Sequence, residues 1–164
     1  MIKGKVSEGD LKLKYGSGHS LAVQKLSQLQ IEYLTDLPEK MIVDLDGSQM
    51  MLCHGAPFNK GAYIYPDALN EILEKCDYVG VDFVLIGHSH YPFSRSNKNS
   101  TLINVGSVGQ SRNQSGFAQW TLINSKTKVF EMRSTPYGVA NLLAEVELQD
   151  PDNVYLKEVL NRSK

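Results

Sequence analysis

The sequence predicts an α/β fold of the α+β layered kind, in which helices pack against a mostly central β-sheet. Residues 82–86 (DFVLI) form an almost continuous apolar run, as expected for a strand that is buried on both faces. Helical periodicity before and after the strand-rich middle of the chain adds the helical layers. The 164 residues contain no internal repeat and no interdomain linker, so we expect a single domain over 1–164.

The N-terminal region is expected to be irregular at first and then helical. Residues 1–17 contain three glycines and show no clean period, which predicts a poorly anchored segment. A helical face follows with Ser20 as its cap. Ser27 and Gln30 predict the start of a second short helix, which Pro38 ends.

The middle of the chain predicts strands joined by turns. The β-prone runs 41–45 and 49–53 flank Asp46-Gly47, which is a strong signal for a hairpin turn. A loop over 54–66 should follow, and then a helix that Asp67 caps and that continues through Cys76, with Leu69, Ile72 and Leu73 facing the core. The remaining predicted elements are strands at 82–86 and 101–105, a hairpin of 117–123 with 128–133, and helices at 139–148 and 151–160.

Composition excludes several classes of protein. The net charge is −1 and there is no run of lysine or arginine, so we expect no extended nucleic-acid surface. No apolar stretch approaches the ~20 residues that span a bilayer, and the N-terminus lacks a signal-peptide core. We therefore expect a cytoplasmic protein without a membrane partner. Cys53 and Cys76 do not make a disulfide framework, and we interpret Cys53 as a small buried residue at a strand end.

Three of the four histidines follow predicted strands. His54 follows the run 49–53, whereas His88 and His90 follow the buried run 82–86 in the sequence Gly-His-Ser-His. Ligand sites in open α/β sheets lie at the carboxyl ends of strands, and imidazole binds zinc, manganese or iron. We therefore predict a metal site; the alternative for each histidine singly is a satisfied surface or core residue. His19 is interpreted as a solvated or capping residue.

A third strand end carries a segment rich in glycine and serine. Ser107 and the surrounding backbone N–H groups of 104–110 are candidates for binding an anion, and Arg112 is a candidate contact for a phosphate oxygen. An ordinary turn is the alternative. Phe58, Tyr63 and Tyr65 form either an aromatic wall near this site or part of the core.

Three sequence blocks together resemble the last three motif blocks of calcineurin-like metallophosphoesterases. They fit the small bacterial and archaeal phosphodiesterase branch, which includes proteins related to diadenosine tetraphosphatase. The resemblance implies an αββα β-sandwich flanked by helices and a binuclear centre of manganese, iron, zinc or nickel. It implies that His54 and His88 bind one metal, that His90 binds the other, and that the substrate is a small phosphoester or nucleotide. The blocks are His54-Gly55-Ala56-Pro57, Gly87-His88-Ser89-His90 and Asn104-Val105-Gly106-Ser107-Val108-Gly109-Gln110.

The early blocks of that family have no match in this sequence. There is no Asp-x-His and no Gly-Asn-His, and the one Gly-Asp, at Gly9-Asp10, lacks the strand and helix context. We therefore expect the C-terminal portion of a metallophosphoesterase domain, without the block that carries the family's catalytic histidine. Three neutral imidazoles cannot balance the charge of two dications, so we expect weak binding of one metal through His54 and His88.

These observations leave two function classes open. The first is a metal-dependent hydrolase of phosphomonoesters or phosphodiesters whose centre is completed from elsewhere. The second is a catalytically inactive module of the same fold that acts in protein interaction. Exposed sheet edges would in either case favour a homo-oligomer. A third interpretation, a mononuclear zinc or nickel sensor, has no switch element in the sequence to support it.

Overall fold

The structure, a computed structural model, describes residues 8–162 and divides into two compact units. We call residues 8–38 and 138–162 the helical unit and Glu39–Tyr137 the sheet unit. The elements are α1 (Glu8–Tyr15), α2 (Gly18–Lys25), α3 (Gln28–Asp36), β1 (Lys40–Leu45), β2 (Ser48–Cys53), α4 (Asn70–Glu74), β3 (Phe83–Ile86), β4 (Phe93–Ser96), β5 (Thr101–Asn104), β6 (Phe117–Asn124), β7 (Val129–Pro136), α5 (Val139–Gln149) and α6 (Val154–Asn161). None of the helices within 8–162 has both the length and the apolar character needed to cross a bilayer.

Helix α1 corrects the expectation of irregular structure over 1–17, of which 1–7 lie outside the described residues. Two of its carbonyls, those of Lys12 and Leu13, accept hydrogen bonds from the Asn153 side chain. Gly16 donates its N–H to the Lys12 carbonyl over 2.9 Å. Its φ of 75° is the left-handed backbone conformation in which many α-helices end. The glycine therefore ends a helix that a distant asparagine anchors, and local sequence carries no sign of that anchor.

Helix α3 starts where Ser27 and Gln30 predict it. The Ser27 hydroxyl accepts from the Gln30 N–H over 3.3 Å, and the Gln30 side chain accepts from the Ser27 N–H over 2.8 Å. This reciprocal pair is a capping box, which satisfies two N–H groups that would otherwise lack partners. The helix ends at Asp36, before Pro38.

The sheet unit is built on a five-stranded mixed sheet of order β1-β2-β3-β5-β4. Strands β1 and β2 form the predicted antiparallel hairpin, with Asp46 and Gly47 at φ 54° and 82° in the turn. Strands β2, β3 and β5 are parallel, so their carboxyl ends meet at one edge of the sheet. Strand β4 is antiparallel to β5 and was not predicted, because FSRS has no apolar alternation. The mixed sheet with helical elements confirms the α/β fold class.

Each face of this sheet carries its own core. On one face, Met51, Val84 and Leu102 pack against α4 and the loop that precedes it. On the other face, Phe83 meets Phe130 of the β6–β7 hairpin with ring centroids 6.0 Å apart. The sheet unit is therefore layered, with the hairpin as a second, two-stranded sheet.

Helix α4 is shorter than the sequence predicts. Leu69, not Asp67, occupies the N-cap position, and no side chain caps the helix. Leu69 is exposed, contrary to the prediction that it faces the core, whereas Leu73 is buried as predicted. Cys76 is buried as well. The core contacts of this segment thus come from its C-terminal half, and the first residues after Pro66 remain a turn.

Candidate metal and phosphate site

The parallel strands bring His54 and His88 into contact. His54 directly follows β2, and its carbonyl accepts a hydrogen bond from the Gly87 N–H, which follows β3, over 2.8 Å. His54 Nε2 and His88 Nδ1 lie 2.8 Å apart, with ring centroids 4.6 Å apart and planes inclined by 62°. One ring nitrogen therefore donates a hydrogen bond to the other, and the two nitrogens face a common point.

His88 and His90 both have left-handed backbone conformations, with φ 61° and 56°. For residues other than glycine this conformation costs about 1–3 kcal/mol each and concentrates at functional sites. The buried Ser89 between them holds this backbone conformation in place, because the Ser89 hydroxyl accepts a hydrogen bond from Asn104 Nδ2 over 2.8 Å. Asn104 also donates to the Gly87 carbonyl over 3.1 Å. The last residue of β5 thus fixes the His88–His90 segment.

His90 is held by the loop that follows β5. Its Nδ1 lies 3.2 Å from the Gln110 carbonyl, and its own carbonyl accepts from the Arg112 N–H over 2.8 Å. The Gln110 N–H donates to the Ser107 hydroxyl over 3.0 Å. A carbonyl acceptor at Nδ1 selects the tautomer whose Nε2 carries a free lone pair, which is the arrangement common among metal-binding histidines.

Arg112 lies against two tyrosines of the loop after β2. Its Nη1 donates to the Tyr65 hydroxyl over 2.6 Å, and its guanidinium carbon lies 5.5 Å from the centre of the Tyr63 ring. The Tyr63 ring in turn lies 4.1 Å from the His88 ring, centroid to centroid. A permanent positive charge is therefore placed beside the paired imidazoles.

The surroundings lower the pKa of two of the histidines. Burial lowers the pKa of His88, and the charges of His54, His90 and Arg112 lower it further, while a hydrogen bond to the Gly61 backbone acts in the opposite direction. Burial is also the main cause that lowers the pKa of His90; the hydrogen bond to Gln110 opposes it, and Arg112 and His54 reinforce it. Both imidazoles are thus biased toward the neutral form, which is the form that binds metals.

The donor set fits part of a metal site. Within residues 8–162, no three side chains of His, Cys, Asp or Glu are grouped so that they could hold one metal ion. The imidazole pair of His54 and His88 suits one divalent transition metal, but no carboxylate joins it to balance the charge of two. The described residues therefore fit the imidazole share of a binuclear centre and not the complete centre.

The structure brings most of the predicted site residues together. His54 and His88 are in direct contact, and His90 and Arg112 lie near enough to lower the pKa of His88 through their charges. The Ser107 hydroxyl accepts a hydrogen bond from the Gln110 N–H, and its own O–H can still donate to an anion. His19 is an exposed residue of α2 in the helical unit, in keeping with a solvated role.

Asn104 and Gln110 lie in the third motif block, but the sequence did not predict how they support the site. Asn104 ties the segment after β3 to that after β5, and its polar side chain at the end of the apolar run TLINV was the available signal. Gln110 acts through its backbone carbonyl, which no residue-type pattern indicates.

Sequence comparison matches this chain to one family and to one curated relative. Residues 3–127 match the model of the calcineurin-like phosphoesterase superfamily domain. An uncharacterized protein of Methanocaldococcus jannaschii is 24% identical over 144 residues, which are 77% of this chain and 57% of that protein.

Two solved structures show a similar fold. A hypothetical protein of Pyrococcus horikoshii OT3 superposes with a TM-score of 0.69 at 19% identity, over 84% of this chain and 55% of that one. A metallophosphoesterase from Sphaerobacter thermophilus gives a TM-score of 0.67 at 19% identity, over 95% of this chain and 72% of that one. The chain spans little more than half the length of the first two relatives. Since the family model covers most of the sequence, the chain belongs to the calcineurin-like phosphoesterase superfamily.

Proposed function

We propose that this chain contributes imidazole ligands and a phosphate-binding arginine to a metal-dependent phosphoesterase. The observation that carries the proposal is the 2.8 Å contact between His54 Nε2 and His88 Nδ1 at the carboxyl ends of two parallel strands. The family generally uses divalent metals and acts on small phosphoesters. We place the chain in the small bacterial and archaeal phosphodiesterase branch, as the C-terminal portion of a single metallophosphoesterase domain.

Each residue has a distinct role in this proposal. His54 and His88 would hold one divalent ion, and His90 would offer Nε2 to a second, because the Gln110 carbonyl lies 3.2 Å from its Nδ1. Arg112 contacts a phosphate oxygen of the substrate, a phosphodiester, phosphomonoester or nucleotide. Manganese, iron, zinc or nickel would lower the pKa of a bound water and neutralise charge on the phosphoryl group. The carboxylate ligands and the catalytic histidine come from outside the described residues.

A second candidate function is a non-catalytic module of the same fold that acts in protein interaction. The absence of a three-donor metal group within 8–162 favours it. Strand β1 offers an interaction edge, because it ends the sheet and exposes Met41, Ile42 and Leu45.

We further propose that β1 pairs with its copy in a homo-oligomer. In an antiparallel register centred on Ile42, Lys40 stands opposite the partner's Asp44, and the charges are complementary in both halves of the pair. The change Ile42→Lys should then lower the molar mass measured by light scattering, whereas a wild-type mass of one chain would contradict the pairing. The free thiols of Cys53 and Cys76 support a reducing compartment, so we propose a cytoplasmic location.

Hydrolysis of bis(p-nitrophenyl) phosphate with Mn²⁺, combined with metal analysis of the same samples, tests the enzymatic proposal. We expect metal-dependent turnover in the wild-type chain and at least one metal per chain. His88→Ala and His54→Ala should lower metal affinity at least about tenfold, in the range seen when a supporting ligand is lost. Arg112→Ala should retain the metal and raise KM. His19→Ala is the matched control, because His19 is exposed in α2 and should leave both measurements unchanged.

Two outcomes would decide against an active phosphoesterase. Near-background turnover together with less than one metal per chain would overturn the enzymatic proposal and favour the interaction module. Equal metal affinity in wild type and His88→Ala would exclude the histidine pair as a ligand set.

A further inference from the structure

We infer that Tyr63 and Tyr65 are positioning residues, which hold the Arg112 guanidinium beside His88 in the orientation that receives a phosphate group. The inference rests on the proposed function for the identity of the group that Arg112 binds. Its geometric basis is independent of any metal, since it consists of contacts among the three side chains and His88.

Tyr65 fixes one nitrogen of the arginine. Its hydroxyl accepts from Arg112 Nη1 over 2.6 Å, across 47 positions of sequence. The half-buried Tyr65 ring is itself held edge-on to Tyr91, with centroids 6.2 Å apart and planes inclined by 72°. The hydroxyl of a ring that packs against Tyr91 therefore defines where Nη1 lies.

Tyr63 links the arginine to the imidazole pair. Its ring lies 4.1 Å from His88 and 5.5 Å from the guanidinium carbon of Arg112, within the range of a cation–π contact. The side chain is 52% exposed, so burial in the core does not explain its placement. The neighbours that it does contact belong to the site.

The loop that carries both tyrosines is rigidly built. Ile64, between them, is 2% exposed and belongs to the core, which fixes Tyr63 and Tyr65 on either side of it. Ala56 and Asn59 exchange two backbone hydrogen bonds of 2.9 and 3.0 Å. At Gly55 the backbone of Lys60 approaches so closely that an added Cβ would lie 2.4 Å from its carbonyl oxygen. The tyrosines therefore stand on a fixed segment directly after His54.

Pre-positioning matters because arginine is a long side chain. Fixing a flexible side chain upon binding costs conformational entropy, and a guanidinium already held by two tyrosines has lost that freedom before the ligand arrives. A phosphate group can then meet the planar guanidinium in one defined orientation. Loss of this support should weaken ground-state binding of the phosphate and so raise KM more than it lowers kcat.

The test compares Tyr65→Phe, Tyr63→Leu and Tyr63→Phe in the full chain by calorimetric binding of inorganic phosphate and by steady-state hydrolysis with Mn²⁺. Tyr65→Phe removes only the hydroxyl that holds Nη1 and should raise both the phosphate Kd and KM about five- to tenfold, with kcat changed less than about twofold. Tyr63→Leu should act similarly, whereas Tyr63→Phe keeps the ring and should resemble wild type. Tyr33→Phe is the control, because Tyr33 is exposed in α3.

The possible results separate this inference from the proposed function. A phosphate Kd unchanged in Tyr65→Phe and Tyr63→Leu overturns the inference, even if the wild type hydrolyses its substrate normally. Absence of turnover in wild type, with a phosphate Kd that still rises in Tyr65→Phe, overturns the proposed function and supports the inference. A loss that Tyr63→Phe shares equally with Tyr63→Leu would also contradict the role of the ring. Wild-type protein that does not bind phosphate overturns the inference outright.

Discussion

His54 Nε2 and His88 Nδ1 lie 2.8 Å apart, although 34 positions separate the two residues in the chain. The contact exists because β2 and β3 are parallel neighbours, so that the first residues after each strand emerge at the same edge of the sheet. The Gly87 N–H donates to the His54 carbonyl and so continues the register of β2 and β3 two residues beyond the last strand pair.

The left-handed backbone of His88 predicts an unusual order of stability for two substitutions. Alanine at φ 61° keeps the Cβ strain, which costs about 1–2 kcal/mol, whereas glycine does not. We therefore expect the free energy of unfolding in urea to be about 1 kcal/mol higher for His88→Gly than for His88→Ala. The matched pair at His19 in α2 should show the opposite order, because glycine destabilises helices relative to alanine. Alanine more stable than glycine at His88 would contradict the strained conformation.

The close packing around Gly55 predicts that no side chain can be accommodated at this position. A Cβ there would lie 2.4 Å from the carbonyl oxygen and 2.7 Å from the carbonyl carbon of Lys60, and both are backbone atoms that cannot move alone. Gly55→Ala should therefore lower the free energy of unfolding by about 1–3 kcal/mol, as overpacking does. Gly109→Ala is the matched control, since among the described residues only its chain neighbours lie within 4 Å of its Cβ position. Equal thermal midpoints for the two variants would argue against the tight loop after His54.

We expect Asp82 to contribute to the decrease in the free energy of unfolding at acid pH. Its carboxylate accepts from Lys128 Nζ over 2.7 Å and from the Gln49 N–H over 3.0 Å. The hydrogen bond from Lys128 is the main cause that lowers the carboxyl pKa below its ordinary 3.8, with the Gln49 N–H and the Lys128 charge adding to it. The folded state thus prefers the ionised form, so this stability is present above pH 3.8 and is lost as pH falls through the lower folded-state pKa.

Urea unfolding measured from pH 7 down to pH 2.5 checks this prediction. Asp82→Asn should be less stable than wild type at pH 7 and should lose less stability than wild type as the pH falls. Lys128→Met should show part of the same effect, because it removes the ammonium and leaves the Gln49 contact. Parallel curves for wild type and Asp82→Asn over the whole range would refute the assigned contribution.

We expect the thiols of Cys53 and Cys76 to react slowly in the folded protein. Burial raises the pKa of Cys53 and of Cys76 to about 11. At a given pH near 8 the thiolate is then roughly a hundredfold rarer than in a freely solvated thiol, and the thiolate is the reactive form. We expect iodoacetamide to label the native chain about a hundredfold more slowly than the chain in urea. A native rate for Cys53 close to the unfolded rate would show that it is an accessible group beside His54.

Much of the fold was predictable because it depends on local patterns. The run DFVLI predicted a buried strand, and it became β3 in the middle of the sheet. Asp46-Gly47 predicted the β1–β2 hairpin, since both residues tolerate positive φ. In contrast, α1 depends on carbonyl contacts with Asn153, more than 130 positions away, and β4 is a strand because β5 lies beside it. A partner so distant leaves no mark on the local sequence.

The residues of the site show the same contrast between what local sequence predicts and what distant contacts determine. The sequence by itself determined which imidazoles stand at strand ends, because His54, His88 and His90 each follow a run whose composition predicts a strand. The tertiary structure decided what those imidazoles meet. Tyr63 and Tyr65 come to Arg112 across 47 or more positions, on a loop whose path is set by Ile64 in the core. Local propensity specifies a strand and its end, but only the closed arrangement of the sheet and its loops determines which side chains approach one another there.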